Sequence, residues 1–165
     1  MLKTSRFITL VLVALLLGLS FAHVLEKPAK MRYEGPLYIT LQKTLYVEWG
    51  PPNLGGILEP GAILATLVLC FLARGRRPAL WLTLGGLLAL LLAFPVVFFV
   101  FVQPANTAFR EAALTSIPAN WAAYRSQWEL GHTIRFVLQL AAFALLSLSV
   151  VLETPLTVRP GKGAG

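Results

Sequence analysis

Aspartate is missing from the chain, and all seven acidic residues are glutamates. Carboxylate chemistry is therefore confined to a few positions, and any scheme that needs aspartate is excluded. Cysteine is nearly as scarce. Cys70 is the only one, which rules out an internal disulfide and any thiolate-rich metal or redox centre; its place in an apolar run makes it a packing residue. Charge is also short: 13% of 165 residues are charged against 57% hydrophobic, with a mean hydropathy of +0.74. A soluble globule does not have this balance, so the chain is expected to be an integral membrane protein surrounded by lipid bilayer. The net charge of +7 comes from cations scattered between apolar runs. No continuous basic face exists for nucleic acid, and topology with anionic headgroups accounts for the basicity.

What is present are four apolar runs. Lys3 and Arg6 precede a charge-free stretch from Phe7 to Ala22. A positive flank before a hydrophobic run also fits a secretory signal, with Ser20-Phe21-Ala22 as a small-x-small site. The run is long for a signal, however, and His23 and Glu26 follow as the end of the same helix. Pro28 removes a backbone donor and is expected to kink or stop that helix. Spans are placed at about 7–25, 54–73, 79–102 and 133–152. Between the first two, residues 26–53 form a loop rich in turns, in which Tyr38, Leu41, Gln42, Leu45, Tyr46 and Trp49 recur at three- and four-residue steps. That spacing predicts a short amphipathic helix at the membrane interface. Arg74-Gly75-Arg76-Arg77-Pro78 reads as a tight cytoplasmic turn. Gln103 opens a polar segment, and Ser116 with Pro118 are expected to start a helix that runs as an extramembrane extension over 118–132 into the fourth span. The tail, 154–165, is expected to be disordered. The expected fold is all-α: a single domain forming a four-transmembrane-helix bundle with a structured first loop and an extended fourth helix.

Four spans place both termini on one side. Lysines and arginines divide evenly between the two sides, but those on the terminal side sit in short flanks and the arginine-rich turn. Termini in the cytoplasm and a plasma (inner) membrane location are therefore expected. The end of span one and the start of span four then share a membrane face, which brings His23 and His132, the chain's two histidines, to the same depth. Trp121, Arg125, Trp128, His132 and Arg135 follow one another at steps of four, three, four and three and form one helical stripe.

Three readings of this constellation stay open. In the first, Trp121, Tyr124 and Trp128 are interfacial anchors and Arg125 with Glu129 is an ordinary helix ion pair. In the second, His23, Glu26, Glu129 and His132 hold a transition metal, since His23-x-x-Glu26 and Glu129-x-x-His132 each present an imidazole beside a carboxylate. In the third, a metal-free pocket binds a lipophilic aromatic substrate between tryptophans while a histidine moves a proton. A non-enzymatic accessory or structural subunit that docks a partner protein through the stripe is the alternative to an enzyme, and assembly as an oligomer stays open in either case.

His23 with Glu26, Lys27, Pro28 and Lys30, then Gln42 and Tyr46, Pro104-x-Asn106, and finally Trp121, Arg125, Trp128, Glu129, His132 and Arg135 together resemble the small four-span membrane family that includes the anthrone oxygenases. The resemblance covers nearly the whole chain. It implies oxidation of a tricyclic anthrone to an anthraquinone by dioxygen without an obvious cofactor. It also implies roles: His132 as base, His23 as a second proton carrier, Arg125 or Arg135 as anion stabiliser, and Asn106 as an orienting donor. Trp121 and Trp128 would be aromatic walls, with Gln42 and Tyr46 as further substrate contacts.

Overall fold

The computed structural model describes residues 1–50 and 53–154. The expected disordered tail therefore lies, beyond Thr154, outside the described residues. Within them the chain is helical and has no strand; the one bridge joins Ala113 and Ser116. Four helices are long and apolar enough to cross a membrane: α1 (Leu2–Lys30), α3 (Leu54–Leu72), the continuous helix Arg77–Glu111, and α6 (Trp121–Val151). The third comprises α4 (Arg77–Leu91), a π-helical stretch (Leu92–Val102) and α5 (Gln103–Glu111). The short α2 (Gly35–Thr44) lies in the first loop and is followed by one 3₁₀ turn, Tyr46–Glu48. The all-α four-span bundle with a structured first loop is thus the observed architecture.

Packing follows a ring, α1 against α3, α3 against α4, α4 against α6, and α6 back against α1. Val13, Leu16, Leu58, Ala62, Leu90, Ala142 and Leu146 fill its centre. Large apolar side chains such as Leu15, Leu64, Phe71, Phe99 and Val137 point outward, as expected for helices solvated by lipid. Small hydroxyls turn inward and bond back one turn: Thr66 to the Ala62 carbonyl and Thr83 to the Ala79 carbonyl, each at 2.7 Å.

Three local expectations change. α1 does not stop at Pro28 but continues to Lys30, so the first helix carries both His23 and Lys30 on rigid backbone. The polar segment from Gln103 is helical to Glu111 because α5 continues the third span. α6 begins at Trp121, not Pro118: the preceding chain turns through the Ala113–Ser116 bridge, and the Trp121 amide donates to the Pro118 carbonyl at 3.0 Å. Pro95 lies in the π-helical stretch, whose wider turn accommodates a residue that cannot donate a backbone bond. Gln127 of α6 donates to the Phe101 carbonyl of this stretch at 3.1 Å. Gly131 allows the close approach, since a Cβ there would come 2.9 Å from Phe101 Cβ and 2.8 Å from Val102 Cγ2.

Candidate functional site

At the loop end of the ring, α2, the 3₁₀ turn and α5 close over the helices and leave a cavity of about 360 Å³. Its position follows from the sequence of the loop. Gly55 opens α3 beneath Trp49, donating to the Trp49 carbonyl at 2.9 Å; a side chain on Gly55 would overlap that carbonyl. Trp49 and Tyr46 are thereby seated against His23, with ring centroids 5.1 and 5.2 Å away. Trp128 meets His23 edge-on at 5.0 Å and is fixed by donating from Nε1 to Asn106 Oδ1 at 2.8 Å. Phe94, Phe98 and Phe109 supply further apolar wall.

The two histidines meet inside this cavity. Their ring centroids are 4.0 Å apart, both are nearly buried at 6% exposure, and neither Nδ1 has a hydrogen-bond partner among the described residues. Gln42 Nε2 and Arg135 Nε are also buried without partners, and both residues line the same cavity. Beneath the histidines Arg135 pairs with Glu59. Gln139 donates to Glu59 at 3.5 Å and accepts from Ser20 at 2.6 Å. This chain neutralises a guanidinium that would otherwise be expensive inside a membrane bundle.

A second buried network lies behind Trp128. Lys30, 1% exposed, is 3.2 Å from Glu129 and 3.7 Å from Glu26, with its ammonium 4.7 and 4.8 Å from the ring centroids of Trp128 and Tyr46. Tyr38 donates to Glu129 at 3.1 Å and Tyr46 to Glu26 at 2.6 Å. Both phenols are pushed above the ordinary tyrosine range, first by burial and then by these carboxylates, so they remain protonated donors.

Of the residues singled out in sequence, the cavity gathers His132, His23, Arg135, Trp128, Asn106, Gln42 and Tyr46. Trp121 and Arg125 do not line it. They face α2 instead: Arg125 donates to the Tyr33 carbonyl at 2.8 Å and lies 4.6 Å from the Trp121 ring, while a Cβ on Gly35 would touch Trp121. The stripe therefore divides, its lower part facing the cavity and its upper part locking the loop. The Arg125–Glu129 ion pair is also absent, because Glu129 is engaged by Lys30 across the helices. The metal set does not assemble either. Glu26 and Glu129 flank the Lys30 ammonium, and no group of three or more potential ligands is suitably disposed among the described residues.

Glu59 and Trp49 also line the cavity, and Gln139 supports Glu59 from α6. Gln139 continues the stripe four positions after Arg135, and Glu59 is the one carboxylate in its apolar run; both signals were in the sequence. Trp49 reaches the site only through the fold of the loop over Gly55. No protein-family model, curated protein or solved structure matches the chain.

Proposed function

We propose that this chain is a multi-pass enzyme of the plasma (inner) membrane, with cytoplasmic termini, that oxidises a flat lipophilic aromatic CH acid of the anthrone type with dioxygen. The observation that carries this reading is the pair of unpartnered imidazoles in an aromatic-walled cavity. About 360 Å³ falls within the roughly 300–1,000 Å³ usual for small-molecule sites.

His132 removes a proton from the methylene between the aromatic rings, and His23 carries protons to and from it. The carbanion's charge spreads onto the conjugated ring oxygen, where Arg135 stabilises it. The carbanion passes one electron to dioxygen, and the two radicals combine to form a carbon–oxygen bond. A proton from the imidazole pair gives the hydroperoxide. Loss of the second methylene proton then forms the carbonyl as the oxygen–oxygen bond breaks, and the departing hydroxide takes up a proton. The balance is one substrate and one dioxygen to one quinone and one water. Trp128 and Trp49 exclude bulk water from the carbanion.

The test is oxygen consumption by the purified chain in detergent with anthrone. Uptake matched to anthraquinone formation, above the spontaneous rate and unchanged by a chelator, is expected. A rate no higher than the spontaneous one would overturn the proposal, and loss on chelation with restoration by metal would overturn its metal-free step.

A further inference from the structure

The cavity's charge is uneven along its depth. At the buried end Arg135 is neutralised by Glu59. Toward solvent the lining includes Lys43, on α2, and Arg110, on α5. Arg110 is exposed, and neither cation forms an ion pair among the described residues. The Lys43 ammonium is held in place by donating to the backbone carbonyls of Arg110 and Ala112 at 2.9 and 2.5 Å. Two cations from different helices thus line one rim, Lys43 held in place and Arg110 exposed, and neither has a carboxylate within ion-pair distance among the described residues. Between rim and floor, Gln42 holds a buried donor without a partner, and so does Arg135 through Nε.

We infer that the ligand of this cavity is an aromatic acid. Its ring system lies between Trp49 and Trp128, an oxygen reaches the unpartnered donors of Gln42 and Arg135, and an ionised carboxylate sits at the rim with Lys43 and Arg110. This rests on the cavity being a ligand site, as in the proposed function, and narrows the substrate from lipophilic aromatics in general to their carboxylated members. The ionised group stays at the solvent end, so it need not be desolvated while the rings are buried. An anionic lipid headgroup offers the same charge at the same rim, and binding measurements separate the two sources.

The probes are 3-hydroxy-2-naphthoate and its methyl ester, titrated onto purified protein in neutral detergent and followed by tryptophan fluorescence. The acid is expected to bind about tenfold or more tightly than the ester, the scale of one charge-assisted contact. Arg110→Gln should narrow that gap and Arg110→Glu should abolish it, whereas Arg74→Gln, on the opposite face, should leave it intact. Arg110 is exposed, so these substitutions do not challenge folding. An ester that binds as tightly as the acid would overturn the inference and leave the pocket reading standing, as would a preference that survives Arg110→Glu. Displacement of the acid by short-chain phosphatidylglycerol, but not by phosphatidylcholine, would assign the rim to a lipid headgroup and overturn it too. Failure of both probes to bind would count against the cavity as an aromatic site, and so against the proposed function itself.

Discussion

His23 of α1 and His132 of α6 lie with imidazole centroids 4.0 Å apart and ring planes inclined by 41°. Each Nδ1 is buried and unpartnered. A polar ring nitrogen withdrawn from water and left unbonded costs free energy, and both histidines line the same cavity. Gln42 Nε2 and Arg135 Nε beside them are likewise without partners, while the neighbouring charges are paired. Glu59, Gln139 and Ser20 form one connected chain, and Lys30 with Glu26 and Glu129 forms another.

The Glu59–Arg135 pair ties α3 to α6 across the ring. Glu59→Ala leaves a buried guanidinium without its counter-charge and is expected to lower stability by about 3–5 kcal/mol. Glu59→Leu combined with Arg135→Met should recover most of that loss, because both charges are then removed. Thermal unfolding of the purified proteins in one detergent checks this. A double substitution as unstable as Glu59→Ala would show that the charges are not what the single change exposes.

Gly131 sits where α6 presses on the π-helical stretch, 2.8 Å from Val102 Cγ2 measured to a hypothetical Cβ. Gly131→Ala should therefore cost about 1–3 kcal/mol through overpacking, although alanine is the better helix former. Gly18, with open space around its Cβ position, is the control: Gly18→Ala should be neutral or stabilising. Melting temperatures that move the same way for both would contradict the close contact.

Tyr38 and Tyr46 titrate above the ordinary tyrosine range in the folded protein. Below about pH 10 both folded and unfolded chains keep these phenols protonated and the stabilisation is complete. Above it the unfolded chain ionises while the folded chain does not. Stability should then fall by up to about 1.4 kcal/mol per pH unit for each tyrosine. Chemical denaturation between pH 8 and about 11 should show a shallower decline for Tyr38→Phe/Tyr46→Phe than for the parent. Equal slopes would mean that the phenols are not held in their neutral form.

Much of the fold was legible because apolar runs of spanning length separated by turn residues leave few alternatives, and an even number of spans puts His23 and His132 at one face. The loop helix was legible from the spacing of Tyr38, Leu41 and Gln42, but it ends at Thr44, and Tyr46 lies in the 3₁₀ turn that follows. Three things were not. Pro28 is a helix breaker by local rules, yet tertiary contacts outweigh it: Lys30 beyond it is locked between Glu26 and Glu129. A stripe on one helix gives direction but not partners, so Arg125 could not be seen to serve the Tyr33 carbonyl, nor Trp121 to cover Gly35. Trp49 enters the site through contacts between distant segments, which periodicity does not encode.

The reading of the cavity as a proton-transfer site depends most on the imidazole pair, and replacing each imidazole tests it. Oxygen uptake with anthrone should fall by about 10²–10⁴-fold in His132→Ala and by less in His23→Ala. The double substitution should be little worse than His132→Ala, because the two rings serve one proton. All variants must retain the melting behaviour and naphthoate binding of the parent for the comparison to count. An undiminished rate in folded, ligand-binding His132→Ala protein would contradict the assignment of the base and with it the proposed reaction.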